Sequence, residues 1–169
     1  MNRKVDPFAH SREITEALPK GILLTTAADG AVNTMTIGWG ALGTDWNKPM
    51  FLAVVRESRF TRELLDKNPE FTVNIPYGES DRRIIGFCGS KSGRDTDKIN
   101  ELGLTLVKSD IVSVPGIKEL PLTLECKVVC RQRQDPQLID PAYRSAFYPA
   151  PEDAHIMYFG EIVNTYIAE

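Results

Sequence analysis

"GILLTTAADGAVNTMTIGWG", residues 21–40, decides the fold. Residues 21–27 read as one strand, Asp29-Gly30 as a two-residue turn, and 31–37 as the return strand of a β-hairpin. The pattern then breaks strand rules: Gly38 and Gly40 flank Trp39 where a sheet wants bulky side chains. A glycine there marks either a close approach by a ligand or another backbone, or a bulge or barrel corner with Trp39 in the core.

Working outward, "ALGTDW" continues as a third strand, Asn47, Lys48 and Pro49 turn the chain, and "MFLAVV" is a continuous apolar strand. Upstream, Ile14, Ala17 and Leu18 give a weak helical period that ends at Pro19. Downstream, "SRFTRELLDKNP" predicts a helix with Ser58 as N-cap, Phe60 and Leu64 on one face and Asn68-Pro69 as its stop. Glu63 and Lys67 stand at the i,i+4 spacing of a favourable ion pair. "EFTVNIP" is a further strand. "SDRRIIGFCG" predicts a short helix, and "DTDKINELG" predicts another with Asp95 as cap and Gly103 as stop.

From Leu122 the sequence alternates. Leu122, Leu124, Cys126, Val128 and Cys130 share one face, with Thr123, Glu125, Lys127 and Arg131 on the other, a half-buried strand. Residues 134–154 hold Pro136, Pro141, Pro149 and Pro151 with Tyr143, Phe147 and Tyr148. Long connections of this kind are lids, binding loops or disordered segments. "HIMYFGEIVNTYIA" closes the chain as a strand. Six or seven strands with a few short helices, in one domain spanning 1–169, predict a mainly β fold closed as a barrel.

The bulk properties narrow the function. With 42% apolar and 25% charged residues, the composition is that of an ordinary globular chain that can bury a core without disulfides. The formal charge is −3, which argues against nucleic-acid or anionic-membrane partners. No apolar run approaches the ~20 residues of a membrane span, and the N-terminus lacks a secretory pattern. Cys88, Cys126 and Cys130 are an odd set, and Cys126 and Cys130 on one strand lie about 13 Å apart, too far for a disulfide. The reading is a reduced, cytoplasmic protein.

Chemistry is bounded by what is missing. CxxC, HExxH, GxSxG, GxxxxGK and GxGxxG are all absent, so metal, triad and Rossmann-type nucleotide sites have no support. Three features remain. In "NTMTIGWG", Asn33, Thr34 and Thr36 offer polar groups to the edge of a flat heteroaromatic ring, and Trp39 offers a face for stacking. In "RESRFTRELL", a buried strand turns into a helix whose N-terminus favours a phosphate. There Arg56 and Arg59 add charge, and Ser58 and Thr61 add hydroxyls. In "CGSKSGRDTDK", Lys91, Arg94 and Lys98 accompany small residues suited to an anion-binding nest. Each has a plain alternative: a barrel corner, a capped helix with solvated arginines, a polar loop. Taken together, a planar ring plus a phosphate describes flavin mononucleotide (FMN) better than a peptide or a sugar. Cys88 is either a redox thiol in a basic neighbourhood or a small buried residue.

In order and spacing, "LPKGILLTT…DGAVNTMTIGWG", "RESRFTRELLDKNPEFTVNIP", "CGSKSGRDTDK" and "HIMYFGEIV" resemble the flavin reductase-like family, and flavoredoxins in particular, from about Leu18 to Val163. The resemblance implies an FMN-binding split β-barrel, usually a homodimer, that passes electrons through the flavin from NADH, NADPH or a redox partner protein. It implies that Asn33, Thr34, Met35, Thr36 and Trp39 surround the ring and ribityl chain, and that Ser58, Arg59 and Thr61 meet the phosphate. Ser90, Lys91, Ser92 and Lys98 would lie close by, and His155 and Phe159 would reach the flavin from the last strand. The expected function is a flavin-dependent oxidoreductase with no general base of its own. The alternatives are an FMN electron carrier that reacts poorly with nicotinamide nucleotides, or a small barrel binding another ligand such as haem.

Overall fold

The computed structural model describes residues 2–149 and 153–169, so Pro151 of the long connection lies outside the described residues. The chain opens with β1 (Asn2–Lys4), a strand with no sequence signal of its own, then α1 (Ser11–Ala17) and a 3-10 turn at Leu18–Lys20. The deciding hairpin is β2 (Ile22–Ala28) and β3 (Ala31–Ile37), paired from Ile22↔Ile37 to Ala28↔Ala31. Asp29 and Gly30 both have positive φ, 52° and 78°, the two-residue turn that matches strand twist. A second hairpin, β4 (Gly40–Asp45) and β5 (Lys48–Arg56), turns through Trp46 and Asn47, again at positive φ.

The remaining elements are α2 (Phe60–Lys67), β6 (Glu70–Ile75), α3 (Arg82–Ser90), α4 (Lys98–Leu102), the short pair β7 (Leu106–Val107) and β8 (Gly116–Ile117), β9 (Leu122–Arg133), α5 (Pro141–Phe147) and β10 (His155–Ala168). The main sheet runs β3-β2-β6-β9-β10-β5-β4, with β1 paired to the far end of β10. β10 is therefore the branch point. Its first half carries β5, its last residues carry β1, and β9 follows nearly its whole length through two register shifts.

The predicted closure does not occur. β3 and β4 are the two ends of the sheet path and do not pair with each other. The chain passes from one to the other through Gly38 and Trp39 alone, and the seam stays open there.

One face of β2, β6 and β9 makes the main core. Ile22, Leu24, Phe71, Val73, Leu122 and Leu124 pack with Ile14 and Leu18 of the N-terminal helical segment. The expected half-burial of β9 holds only along its second half: on the polar face Thr123 and Glu125 are fully buried, while Lys127 and Arg131 are exposed. The segment 109–117 lies over that face, and its main chain needs polar partners. Glu125 accepts N–H bonds from Asp110, Ile111 and Val112 at 2.7–3.0 Å, and Thr72 donates to the Pro115 carbonyl at 2.7 Å. Alternation reports two faces, but not what covers the polar one.

Local expectations are corrected at four further points. The N-cap of α2 is Arg59, not Ser58, and no side chain caps that helix. The N-cap of α4 is Asp97, not Asp95, while Gly103 stops the helix at φ 60° as expected. Glu63 and Lys67 do not pair with each other, because Glu63 meets Arg94 and Lys67 meets Asp29 across 2.7 Å. The 134–154 connection carries a 3-10 turn at Pro136–Leu138 as well as α5, which starts on an Asp140 cap and Pro141.

Candidate functional site

Three segments far apart in sequence meet beyond the end of β5. A cavity of about 110 Å³ lies between Asn33 and Met35 of β3, Ser58 to Thr61 at the start of α2, and the loop from α3 to α4. Arg59, Lys91, Arg94 and Lys98 line it, and among the described residues no carboxylate does. In a chain of net charge −3 that is a strong local concentration of positive charge.

Lys98 is the decisive member. It is 4% exposed, and its Nζ donates to the carbonyls of Thr34 at 2.9 Å and Cys88 at 3.1 Å. Burial pushes its pKa down, and no carboxylate among the described residues pairs with it. A buried ammonium without a counter-ion is costly, and a bound anion in the cavity removes the cost.

The start of α2 adds to this. The helices α3, α4 and α5 are each capped by an aspartate, whereas α2, like α1, has no side-chain cap, and its first residues, Phe60 and Thr61, line the cavity. Asn33 Nδ2 donates to Thr61 Oγ1 at 3.0 Å, which ties β3 to the helix. Arg94 donates to the Ser58 carbonyl at 3.1 Å, pairs with Glu63 and covers the Phe60 ring at 5.7 Å. Gly93 fits between these parts, since a Cβ there would collide with Asn33 Oδ1 and come within 2.8 Å of Phe60.

A trough of about 180 Å³ continues from the cavity along the open seam and shares Met35 and Arg59 with it. Thr36 to Trp39, Val54, Arg56 and His155 form the rest of its wall. Trp39 is 43% exposed, edge-on to Phe147 at 5.2 Å and tilted against His155 at 5.0 Å. His155 Nδ1 lies 2.6 Å from the Tyr148 hydroxyl, which donates to Gln134 Oε1 at 2.9 Å. With the tyrosine proton on Gln134, the ring proton of His155 sits on Nδ1 and Nε2 is a bare acceptor. Burial, helped by the Arg56 charge, pushes His155 down to about 4, so the ring is neutral at ordinary pH. Arg56 donates to the carbonyls of Asp153 at 2.8 Å and Phe147 at 3.0 Å and lies over the Tyr148 ring.

Most sequence-selected residues fall here. Asn33, Met35, Ser58, Arg59, Thr61, Lys91, Ser92 and Lys98 line the cavity. Thr36, Trp39, Arg56 and His155 line the trough, although the Thr36 hydroxyl is committed to the Ile85 carbonyl at 2.6 Å. Three residues line neither. The Thr34 side chain turns into the interior and accepts from Thr25 at 3.0 Å, leaving only its carbonyl to serve Lys98. Ser90 donates back to Phe87 at 3.2 Å, and Phe159 lies further along β10 against Trp46. Cys88 is 1% exposed, the setting of a small buried residue. Burial raises it to about 11 despite the nearby Lys98 charge, so it stays protonated. The sequence reading missed Phe60 and Gly93 as cavity residues, and Asp153, whose carboxylate meets the Ser58 N–H at 3.1 Å and Oγ at 2.6 Å. Phe60 and Gly93 sit inside motifs already singled out, whereas Asp153 had no local signal.

Residues 15–169 match the model of the flavin reductase like domain, and the chain belongs to that family. An uncharacterized protein of Archaeoglobus fulgidus is 35% identical over 97 residues, 57% of this chain and 54% of that protein. The uncharacterized protein YddH of Escherichia coli is 33% identical over 98 residues, 57% of this chain and 51% of that protein. The matches thus span about half the length of these relatives. Among solved structures, flavoredoxin from Methanosarcina acetivorans superimposes with a TM-score of 0.67 at 28% identity, over 88% of this chain and 68% of that one. The FMN-binding domain of a flavin reductases-like enzyme from Shewanella baltica reaches 0.71 at 16% identity, over 99% and 77%. That second likeness is one of fold. Among the described residues no helix is long and apolar enough to cross a membrane.

Proposed function

We propose that this chain is an FMN-binding oxidoreductase, with the phosphate in the four-cation cavity and the ring in the trough. One observation carries the reading. A buried lysine with no carboxylate partner among the described residues faces a cavity that opens into a trough beside Trp39 and His155. Arg59, Lys98 and the first amides of α2 hold the phosphate, and Asn33 and Met35 meet the ribityl chain between the two sites. Trp39 packs at the ring, and the neutral His155 offers Nε2 as an acceptor. Arg56 and Arg59 favour negative charge in the trough. Bound flavin supplies the hydride and electron chemistry, while the protein supplies position and field. The donor in this reading is NADH or NADPH, and the working form is a homodimer in the cytoplasm.

A second reading is an electron carrier that takes its electrons from a protein. It is favoured by Phe147, Tyr148 and Arg56, which already crowd the mouth of the trough where a nicotinamide would stack. Anaerobic mixing of the FMN-loaded protein with NADH and with NADPH separates the two. Rapid bleaching of the flavin supports the reductase. Bleaching no faster than that of FMN in buffer supports the carrier.

A further inference from the structure

Ser58 already holds an anion. Its N–H donates to Asp153 Oδ1 at 3.1 Å and its hydroxyl donates to Oδ2 at 2.6 Å, so the aspartate grips it with both oxygens. The Asp153 main-chain carbonyl is held in turn by Arg56 at 2.8 Å. An N–H and an O–H side by side are also what two oxygens of a phosphate would take. Ser58 lines the cavity in which Lys98, deeper in, has no carboxylate among the described residues. Among the described residues the cavity thus has an internal anion at its rim and none at its floor.

We propose that Asp153 is a resident competitor for Ser58. It trades places with the phosphate of an incoming flavin, so that flavin is an exchanging ligand of this protein rather than a permanently held group. The inference rests on the FMN reading above. On binding, the phosphate takes the Ser58 N–H and O–H, and the Asp153 carboxylate returns to water. On release, Asp153 takes both donors back. Neither direction leaves a donor unpaired, and that lowers the barrier to release. The apparent affinity for FMN is reduced by the fraction of molecules in which Ser58 is taken. Riboflavin has the same ring but no phosphate, and makes no demand on Ser58.

The test measures FMN and riboflavin affinity by fluorescence quenching, and FMN release by stopped flow. It uses the full chain as wild type, Asp153→Asn, Ser58→Ala and the double variant, each confirmed folded by its thermal melt. Asp153→Asn is expected to tighten FMN by about tenfold, to slow its release and to leave riboflavin unchanged. On a Ser58→Ala background, which removes the hydroxyl and keeps the N–H, the same substitution should tighten FMN by clearly less than in wild type, by about threefold. Unchanged or weakened FMN binding in Asp153→Asn overturns the proposal. So does an equal gain for riboflavin, or a gain that persists undiminished without the Ser58 hydroxyl. If neither wild type nor variant binds FMN, the FMN reading falls with it. Equal FMN binding by the two overturns the exchange proposal alone.

Discussion

The Nζ of Lys98 donates to the main-chain carbonyl of Thr34 at 2.9 Å, sixty-four residues away, across the edge of the sheet that β3 leaves unpaired. Two carbonyls anchor this ammonium, and among the described residues no carboxylate neutralises it. Lys98→Met should therefore weaken FMN binding by roughly 10- to 100-fold. The melting temperature of the ligand-free protein should hold or rise, because a buried unpaired charge is removed. Titration and thermal melts check both, and an unchanged FMN affinity would take Lys98 out of the site.

The two glycines around Trp39 have different reasons to be there. A Cβ on Gly40 would come within 2.5 Å of the Leu52 carbonyl on β5, whereas at Gly38 the nearest atom, the Leu18 carbonyl, is 3.7 Å away. Gly40→Ala should destabilise by about 1–3 kcal/mol in urea unfolding. Gly38→Ala should stay within about 0.5 kcal/mol of wild type. A Gly38→Ala variant should still bind FMN more weakly, since Gly38 lines the trough. Equal destabilisation by the two would refute the distinction.

His155 gives the fold a pH dependence. In the native protein it stays neutral down to about 4, while in the unfolded chain it takes up a proton near 6.5. Between these values the unfolded state binds more protons, so stability falls as pH drops through the window and levels off below it. The full effect is about 3 kcal/mol. His155→Gln should flatten the melting-temperature profile across that window. A variant profile as steep as wild type would place the dependence elsewhere.

Glu125 is a buried clamp. Its carboxylate takes three main-chain amides from 110–112 and the Asn164 side-chain amide at 2.8 Å. Glu125→Gln sets an NH₂ against N–H donors and should cost about 2–4 kcal/mol. The segment over the polar face should become the first site of limited proteolysis. Wild-type stability in this variant would show the clamp to be dispensable.

Legibility followed the range of each signal. The β2–β3 hairpin, β9 and β10 were readable because turn chemistry and apolar patterning act within a few residues. The strand β1 and the pair β7–β8 were not, since each is too short to carry a period and exists only against its partner. The open seam was unreadable as well, because closure depends on where two distant strands end. In the site, cations and hydroxyls at a helix start were legible from composition and order. What they touch was not. Ser58 looked like a cap and instead meets Asp153, and Thr34 looked like a ligand group but faces Thr25. Lys98 stood in the sequence as one cation of three, and only its burial marks it as the one that needs an anion.

Titration of FMN into the purified, flavin-stripped protein tests the central claim most directly, with Trp39→Ala and Lys98→Met alongside. The account predicts saturable binding of one FMN per chain, quenched flavin fluorescence, and weaker binding in both variants. A wild-type protein that leaves the spectrum and fluorescence of FMN unaltered at every concentration would contradict it.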